Sequence, residues 1–232
     1  MGLFNKKSPL VAAILPKICI ACNKRVQEDE EFCPNCSPFM KRVSKPTCKA
    51  CGKSKKRCPT QRKSMNYDFV CAPFYYRGAI REGLKRFKFE NRQNSADFFA
   101  REMVNFLNSE HPNVEFDYIT FVPMTKKQLE ERGFNQSKIL AEKVAKLLNI
   151  ECRNDILIKL YDIEPQHNLK AMYRQGNVAG VFDVENKEIV NGKSILIIDD
   201  IKTTGYTLNE CAKMLKQYDA DTVGCVCAAI VI

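Results

Sequence analysis

An apolar run that leads into two acids and a threonine-rich turn is the part of this chain best suited to chemistry. The run covers Ile195 to Ile198, and it continues into Asp199, Asp200 and the segment 201–207. Four β-forming residues of this kind predict a buried parallel strand. Open α/β sheets bind ligands at the carboxyl ends of their strands. We therefore expect the two carboxylates to face a binding cleft, where they can hold two hydroxyls of a ribose.

The turn after the acids has the composition of an anion site. Its backbone N–H groups and hydroxyls can point at one anion at the N-terminus of the helix that follows. The residues concerned are Thr203, Thr204, Gly205 and Thr207. The spacing of Leu208, Cys211, Ala212 and Leu215 predicts that this helix packs one apolar stripe on the sheet. The other interpretation is a capped helix without a ligand, although two adjacent acids after a buried strand are costly without a role.

The whole segment resembles the phosphoribosyl-pyrophosphate (PRPP) signature of type I phosphoribosyltransferases. The resemblance depends on apolar, acidic, hydroxyl and glycine positions that are all in register between 195 and 207. It implies that Asp199 and Asp200 bind the ribose 2′- and 3′-hydroxyls of PRPP, and that the threonine-glycine turn binds the 5′-phosphate. Tyr206 stands where that family usually has a small residue, a departure that still allows the backbone to bind.

Cysteines dominate the beginning of the chain. Seven of the twelve lie between positions 19 and 58, as three Cys-x-x-Cys pairs and one further cysteine. Paired thiolates presented from tight turns suit tetrahedral zinc. A disulfide framework would need an oxidising compartment, and redox chemistry needs only one pair. The sequence therefore predicts structural Zn²⁺, with a first site formed by Cys19, Cys22, Cys33 and Cys36.

The second cysteine set is incomplete. It contains Cys48, Cys51 and Cys58, and the positions where a fourth ligand is expected hold Thr60 and Gln61. The set is a degenerate site, a bare turn, or a site completed by Cys71. The apolar run around Cys71 favours a core role for that residue. The remaining cysteines, which we expect to act as small apolar residues, are Cys152, Cys211, Cys225 and Cys227.

The positive charge of the chain is concentrated in its first quarter. Residues 1–62 hold 14 Lys and Arg against 4 Asp and Glu, whereas residues 63–232 hold 23 of each. Such an excess indicates either a polyanionic partner or a basic surface that keeps the protein soluble. Zinc reduces the excess, because each four-thiolate site carries a net charge of about −2. The aromatic residues placed to stack on unpaired bases are Phe32, Phe39 and Tyr67.

The rest of the chain alternates strands and helices. The turn-prone basic segment 52–66 places a domain boundary near 63, between a zinc-binding module at 1–62 and a larger domain at 63–232. The predicted strands cover 70–76, 118–122, 195–198 and 223–232. Apolar periodicity predicts helices around 80–87, 98–107, 140–148 and 208–215. This order predicts a mostly parallel α/β sheet flanked by helices, and no internal repeat is evident.

No targeting or membrane segment stands out. Apolar runs stay well short of the ~20 residues of a membrane span, so we expect none. Residues 1–16 imitate a signal peptide only weakly and lack a convincing cleavage site, so they predict a short helix docked on the body. The missing targeting segment, together with cysteine spacing typical of reduced thiols, predicts a cytoplasmic protein.

Three further polar clusters follow one another along the chain, and each alone fits a capped turn or a surface charge. The first joins Val122-Pro123-Met124-Thr125 to Arg132-Gly133-Phe134-Asn135-Gln136-Ser137. The second holds Gln166, Arg174, Asn177 and Phe182, and the third is Lys85-Arg86-Phe87-Lys88-Phe89. Taken in their order along the chain, 85–89 first, with the cysteine pairs and the PRPP-like signature, they resemble the ComF (ComFC-type) family from about Cys19 to the end of the chain.

The resemblance to ComF proteins implies a type I phosphoribosyltransferase fold behind an N-terminal zinc-binding module, and a role in DNA uptake during bacterial natural competence. It implies that the loop after Pro123, including Met124, lies near the pyrophosphate of PRPP. The residues implied to face the active cleft are Arg132, Asn135, Gln136, Gln166 and Arg174. The missing fourth ligand of the second cysteine set is the main departure.

Two classes of function follow from these patterns. The first is a phosphoribosyltransferase that binds PRPP with Mg²⁺, in which Arg132 or Arg174 neutralises pyrophosphate beside Asp199 and Asp200. No residue identifies the acceptor. The second is a single-stranded nucleic-acid-binding protein whose PRPP site is regulatory or vestigial, with the basic module following the phosphate backbone. A third interpretation makes the zinc module a docking surface for a competence or recombination protein.

Overall fold

The computed structural model describes residues 16–58, 65–89, 95–161 and 180–232. In these ranges, six parallel strands form one sheet in the order β1-β8-β7-β3-β4, and β2 also pairs with β8. These strands are β1 (Phe69–Cys71), β2 (Phe74–Tyr75), β3 (Tyr118–Phe121), β4 (Glu151–Cys152), β7 (Ile195–Lys202) and β8 (Val223–Ile230). A separate antiparallel pair joins β5 (Leu157–Lys159) to β6 (Phe182–Val184). The predicted, mostly parallel α/β sheet is confirmed.

Helices connect the strands of the sheet. They are α1 (Gly78–Phe89), α2 (Ala96–Glu110), α3 (Lys126–Arg132), α4 (Gln136–Leu148), α5 (Lys187–Val190) and α6 (Tyr206–Gln217). Short 3₁₀ turns cover Ser37–Phe39 and Lys55–Arg57. The stripe predicted for α6 is buried as expected, with Leu208, Cys211, Ala212 and Leu215 all in the core. No helix within the described ranges is long and apolar enough to cross a membrane.

The central strand β7 is longer than the sequence predicted. It does not end at Ile198 but continues through the two acids to Lys202, because β8 pairs with it as far as Ile230. Its other neighbour, β3, stops earlier, and their last pair joins Phe121 to Ile198. One edge of β7 is therefore open beyond Ile198, and this opening creates a cleft beside the acids.

The predicted strand over 70–76 is split into β1 and β2. Both pair with β8 in parallel, and Pro73 lies between them. Proline has no N–H to donate to a neighbouring strand. Its carbonyl instead accepts a hydrogen bond of 2.9 Å from the N–H of Val43 in the cysteine-rich segment. Residues of that segment thus lie along the edge of the main sheet.

The cysteine-rich segment packs on the body rather than standing apart from it. Phe32 is buried and its ring meets that of Phe98 on α2 edge-on, with centroids 5.3 Å apart. Arg86 on α1 donates a hydrogen bond of 2.7 Å to the carbonyl of Ala21. The boundary near 63 stays a prediction, and the helix predicted over 1–16 falls almost wholly outside the described residues.

Candidate active site and zinc centres

Asp199 and Asp200 lie at the open edge of β7. The hydroxyl of Ser137, in the first turn of α4, donates a hydrogen bond of 2.9 Å to Asp199 Oδ1. The Asp200 backbone N–H donates to the same oxygen, also at 2.9 Å. Asp200 Oδ1 in turn accepts a hydrogen bond of 2.7 Å from the Ile201 N–H. Both carboxylates are thus held in fixed positions at the carboxyl end of the sheet.

The two acids have a strong electrostatic interaction. Burial, and then the neighbouring Asp200 carboxylate, raise the pKa of Asp199 to about 8, against the opposing hydrogen bonds from Ser137 and the Asp200 N–H. A shift of this size is common at functional sites. Without a ligand Asp199 therefore keeps its proton at neutral pH, and a ligand that brings positive charge would favour its ionised form.

The cleft beside the acids is open and has an empty volume of about 660 Å³. Its lining contains both acidic and basic side chains. The predicted site residues that line it are Asp199, Asp200, Pro123, Met124, Arg132, Gln136 and Thr207. Three cationic side chains, those of Lys88, Arg132 and Lys159, lie in its lining. Such a cleft suits a ligand that carries both hydroxyls and several negative charges.

The Arg-Gly-Phe-Asn-Gln run forms the junction between α3 and α4. Gly133 ends α3 in a left-handed conformation with φ of 81°. Its N–H donates to the carbonyl of Leu129 at 2.7 Å. The side chain of Asn135 caps α4 by accepting the N–H of Ser137 at 2.9 Å. This tight reversal directs the first turn of α4 toward the acids, because only a residue tolerant of positive φ fits between the two helices.

Two residues of this run line the cleft, and a third does not. Arg132 donates a hydrogen bond of 3.2 Å to Gln136 Oε1, and Gln136 Nε2 donates to the carbonyl of Lys88 at 3.4 Å. Asn135 is buried, and besides capping α4 it donates to the carbonyl of Val122 at 3.1 Å. In the described structure Asn135 positions the site without lining it, so contact with PRPP stays a prediction for that residue.

The threonine-glycine turn connects β7 to α6. Gly205 is the N-cap of α6, with φ of 88°, and is buried. Thr203 and Thr204 are exposed, and Thr207 lies in the first turn of α6 and in the cleft lining. The turn thus has the form expected of an anion site at a helix N-terminus. The predicted residues Gln166 and Arg174 lie outside the described part of the chain.

Sequence reasoning did not single out several residues that complete the cleft. Lys159 on β5 donates a hydrogen bond of 2.8 Å to Gln128 on α3, and both line the cleft. Phe182 on β6, which the second polar cluster of the sequence did include, lines the cleft as well and is itself buried. No local spacing distinguishes Lys159 or Gln128. An isolated lysine or glutamine in a sequence is usually a surface residue, and only the tertiary structure brings these two to the cleft.

The first four-cysteine set comes together as predicted. The sulfur atoms of Cys19, Cys22, Cys33 and Cys36 all lie within 4.8 Å of one another. The Cys22 and Cys33 sulfurs are 3.6 Å apart, close to the ~3.8 Å edge of a tetrahedron with Zn–S bonds of ~2.3 Å. Although burial opposes it, hydrogen bonds from Cys22 and Cys36 lower the pKa of Cys33 to about 7. One thiol of the set is thus already prepared to bind a metal as thiolate.

The second set repeats the turn of the first. Cys19-Ile-Ala-Cys-Asn-Lys and Cys48-Lys-Ala-Cys-Gly-Lys share the pattern Cys-x-Ala-Cys-x-Lys. In each, the residue after the second cysteine has positive φ, 64° for Asn23 and 73° for Gly52. The N–H of Cys19 donates a hydrogen bond of 2.8 Å to the carbonyl of Lys24. The N–H of Cys48 donates one of 2.9 Å to the carbonyl of Lys53. The expectation of no internal repeat was therefore wrong.

The second set brings three sulfur atoms together. Those of Cys48, Cys51 and Cys58 lie within 4.8 Å of one another, and the last two are 3.7 Å apart. Cys71 is not part of this group; it is fully buried in β1, as its apolar surroundings predicted. Cys211, Cys225 and Cys227 are likewise buried, whereas Cys152 is only partly so. All twelve cysteines are free thiols in the structure.

Two of the three aromatic residues proposed to stack on bases are not available for it. Phe32 packs in the core, and Tyr67 is buried with its hydroxyl donating to the Ala50 carbonyl at 2.7 Å. Both expectations were wrong, because these rings bind the cysteine-rich segment to the body. Phe39 remains, with 59% of its surface exposed.

Comparison with known proteins agrees with the two parts seen in the structure. A phosphoribosyl transferase domain matches residues 135–230, which include the acids, the turn and the first turn of α4. A double zinc ribbon domain matches residues 10–72, which include both cysteine sets. The chain is therefore a protein with a type I phosphoribosyltransferase fold and an N-terminal double zinc ribbon.

Curated relatives resemble the chain over most of its length. The competence protein ComFC of Bacillus subtilis is 26% identical over 220 residues, which cover 85% of this chain and 88% of the relative. The DNA utilization protein YhgH of Escherichia coli K12 is 25% identical over 219 residues, which cover 92% of this chain and 91% of the relative. Competence protein F of Haemophilus influenzae is 24% identical over 210 residues, which cover 89% of this chain and 87% of the relative. With both domain matches, these relatives confirm the resemblance of the chain to ComF-type proteins over most of its length.

Solved structures of phosphoribosyltransferases are more distant. The glutamine PRPP amidotransferase of Bacillus subtilis is 18% identical, with a TM-score of 0.39 over 66% of this chain and 28% of that one. The adenine phosphoribosyltransferase of Saccharomyces cerevisiae is 18% identical, with a TM-score of 0.36 over 57% of this chain and 68% of that one. At these TM-scores the assignment of the fold rests on the domain match and the strand order.

Proposed function

We propose that this protein binds PRPP with Mg²⁺ in the cleft beside β7 and transfers its phosphoribosyl group to an acceptor. The observation that carries the proposal is the pairing of Asp199 and Asp200 at the open edge of β7, followed directly by the Gly205-capped N-terminus of α6. The acids suit the ribose hydroxyls, and the turn suits the 5′-phosphate. The phosphoribosyl transferase domain matched over 135–230 supports the same assignment.

The side chains of the cleft have distinct parts in this reaction. The ribose carbon develops positive charge as pyrophosphate leaves, so the protein must position the sugar and stabilise separating charges. Asp199 and Asp200 would hold the sugar through its hydroxyls. Arg132, Lys88 and Lys159 also line the cleft, where they would neutralise pyrophosphate. Mg²⁺ would supply further charge neutralisation on the phosphate oxygens.

Calorimetric titration with PRPP and Mg²⁺ tests this proposal. The zinc-loaded wild-type protein should bind PRPP with micromolar affinity, and Asp199→Ala/Asp200→Ala should abolish the binding. Asp97→Ala is the control, since this acid lies on the surface of α2 and pairs with Lys143 away from the cleft. If the wild-type protein binds no PRPP, the enzyme proposal is wrong and the basic zinc module becomes the main candidate for function.

The biological role that we propose is support of DNA uptake or processing in natural competence. The names of the relatives, competence protein and DNA utilization protein, support it. A second candidate is single-stranded nucleic-acid binding with a regulatory or vestigial PRPP site, and the charge excess in residues 1–62 favours this possibility. A docking surface for a competence or recombination protein is the third.

Salt dependence distinguishes these roles. Because the cysteine-rich segment packs in the core, charge reversal is a cleaner test than deletion. Lys55→Glu/Lys56→Glu changes two exposed lysines of the basic segment, and Lys126→Glu/Lys127→Glu makes the same change on α3. If the basic segment binds a phosphate backbone, only the first variant should weaken oligonucleotide binding, and the slope of log K against log salt should fall by about 1 for each lysine. Partner binding that is insensitive to salt would instead favour protein docking.

A further inference from the structure

The first turn of the second cysteine set (48–53) is bound to β1 and to the residues just before it. The carbonyl of Lys49 accepts a hydrogen bond of 2.9 Å from the N–H of Val70. The carbonyl of Ala50 accepts one of 2.7 Å from the hydroxyl of Tyr67, a side chain that is buried. Both carbonyls lie between the two cysteines of this turn. The position of the turn and that of the chain entering β1 therefore depend on each other.

Two residues shortly before β1 contact the first turn of α6. On α6, Asn209 Oδ1 accepts hydrogen bonds from the backbone N–H of Asn66 at 2.7 Å and from Asn66 Nδ2 at 3.2 Å. The Cε atom of Met65 lies 3.5 Å from the position that a Cβ atom on Gly205 would occupy. The segment 65–67 thus connects the second cysteine set to the N-terminus of α6.

The first turn of α6 belongs to the cleft. Thr207 lies in this turn and lines the cleft together with the two acids of β7. The N–H of Asn209 closes the same turn by donating a hydrogen bond of 2.9 Å to the carbonyl of Gly205. An unbroken series of hydrogen bonds and packing contacts therefore leads from the cysteine turn to the cleft wall. Such a series carries coupling only if one of its elements has two discrete states.

The second cysteine set supplies that element, because its metal can be bound or absent. The set offers three thiols among the described residues, whereas the first offers four. Structural zinc sites have four protein ligands, so the second set should lose its metal while the first stays loaded. A zinc ion would draw the three sulfur atoms to one centre and fix the turn 48–53, since zinc binding orders the segment that carries its ligands.

We propose that a zinc ion at the second cysteine set raises the affinity of the cleft for its ligand, because the segment 65–67 then holds the N-terminus of α6 in place. The inference rests on the proposed function, which makes PRPP that ligand. Asn209 acts here as a positioning residue, since it is absent from the described lining of the cleft. By linkage, PRPP must raise the affinity of the second set for zinc by the same factor.

The alternative is a second set that only stabilises the fold. Loss of its zinc would then lower the Tm, but the folded protein would bind PRPP as before. The two roles therefore predict different PRPP affinities in a protein that lacks only this zinc ion.

Calorimetric titration of Cys58→Ser with PRPP and Mg²⁺ distinguishes the two roles. This replacement removes one ligand and leaves the turn 48–53 unchanged in sequence. The variant should hold one zinc ion fewer per chain than wild type and should bind PRPP about 5- to 10-fold more weakly, at the lower end of usual coupling between sites. Cys152→Ser, which belongs to neither set, should change neither quantity.

A double-mutant cycle tests whether the effect passes through Asn209. Asn209→Ala removes both hydrogen bonds to Asn66, so adding Cys58→Ser to it should change PRPP affinity by less than about 2-fold. Asn66→Ala is the matched control, because it keeps the backbone N–H that makes the shorter bond. In Asn66→Ala, most of the 5- to 10-fold effect of Cys58→Ser should remain.

The reciprocal effect needs no change to the cysteines. At equilibrium with a colorimetric chelator, PRPP and Mg²⁺ should make the second set of the wild-type protein retain zinc about 5- to 10-fold more tightly. The first set serves as the internal control and should not respond. Asp199→Ala/Asp200→Ala should abolish the effect of PRPP, which excludes direct binding of zinc by PRPP as its cause. This measurement decides the question if Cys58→Ser does not fold.

The possible failures are distinguishable. If wild type binds PRPP but holds no zinc at the second set, or if Cys58→Ser binds PRPP as tightly as wild type, the inference alone is wrong. A lower Tm with unchanged PRPP affinity assigns the second set to stability. An additive cycle also overturns the inference, because the zinc then acts without Asn209. If the wild-type protein binds no PRPP, the inference and the proposed function both fail.

Discussion

Ser137 and Asp199 are joined across the cleft floor by a hydrogen bond of 2.9 Å between the serine hydroxyl and one carboxylate oxygen. The serine belongs to the first turn of α4 and the acid to β7. The junction at Gly133 and Asn135 fixes where this turn begins. The geometry of the acidic pair therefore depends on a helix that starts more than sixty residues earlier in the chain.

Removing the Ser137 hydroxyl should weaken PRPP binding without unfolding the protein. Ser137→Ala leaves Asp199 with one hydrogen bond fewer to its ionised form, so the carboxylate that we expect to hold a ribose hydroxyl becomes less ionised and less fixed. We expect an affinity loss of about 10-fold, the value of a hydrogen bond to a charged group. Calorimetric titration with PRPP and Mg²⁺ measures it.

The matched control for Ser137→Ala is Ser109→Ala. Ser109 also makes one side-chain hydrogen bond, to the Phe106 carbonyl at 2.8 Å, but it lies at the end of α2 outside the cleft. Its removal should leave PRPP affinity unchanged. Equal losses in the two variants would show that the effect of Ser137 is a general loss of stability.

Replacing Asp199 by asparagine should stabilise the ligand-free protein, and more so at high pH. With a pKa of about 8 in the folded protein and about 3.9 in an unfolded chain, Asp199 keeps a proton that the unfolded state has released. The free energy of unfolding of wild type therefore falls as pH rises from about 4 to about 8. Asparagine cannot ionise, so Asp199→Asn does not lose stability in this way as pH rises. The Tm of Asp199→Asn minus that of wild type should therefore grow from about pH 4 to about pH 8 and vanish below about pH 4.

Asp155→Asn provides a control of opposite sign. The Arg153 guanidinium lowers the pKa of Asp155, so this acid stabilises the fold above its unfolded pKa and ceases to do so as pH falls. Its replacement should lower the Tm at neutral pH, and the difference from wild type should shrink in acid. A pH-independent Tm difference for Asp199→Asn would contradict the raised pKa.

The local parts of the site could be predicted from the sequence, and the distant parts could not. The apolar run before Asp199 is sufficient to predict a buried strand, because alternation is absent and turn residues follow. The extension of β7 to Lys202 was missed because it depends on pairing with β8, which lies later in the chain. Likewise, Lys159 reaches the cleft only through the antiparallel pairing of β5 with β6.

The cysteine-rich segment shows the same limit. The grouping of its first four cysteines was predictable, since the spacing of each pair determines the turn. The burial of Phe32 and Tyr67 was not, because it depends on which face of α2 and β1 this segment covers. The two similar turns were missed because the repeat covers only six residues, Cys19–Lys24 and Cys48–Lys53.

The two cysteine sets should release zinc at different rates. The first offers four thiols, but the second offers only three among the described residues, and Thr60 and Gln61 stand where a fourth cysteine is expected. A zinc ion at the second set would thus have a weaker fourth ligand, and its site would carry a net charge of about −1 instead of about −2. We expect zinc release to a colorimetric chelator in two phases, with the faster phase lost in Cys51→Ser and retained in Cys22→Ser.

Cys152→Ser is the control for zinc release. This cysteine is partly buried and belongs to neither set, so its replacement should change neither phase. A single release phase that accounts for two zinc ions would contradict the expected difference between the sites. A single phase of one ion, lost in Cys22→Ser, would show that the second set holds no zinc.

A methyl group at position 205 should be more disruptive than one at position 192. Both glycines have positive φ, 88° at Gly205 and 68° at Gly192, so alanine costs about 1–2 kcal/mol in backbone strain at either place. At Gly192 nothing lies within 4 Å of the new carbon, whereas at Gly205 it meets Lys202 Cε at 2.8 Å. Gly205→Ala should therefore lower the Tm more than Gly192→Ala and should also weaken PRPP binding.

The contact with Lys202 can be separated from backbone strain by a double-mutant cycle. Shortening the lysine in Gly205→Ala/Lys202→Ala relieves the collision but leaves φ unchanged. The free energy of unfolding of the double variant should then exceed the additive expectation, because neighbouring residues that clash couple when both are changed. Strict additivity would mean that the lysine moves aside at no cost. Gly205 would then be required for backbone conformation alone.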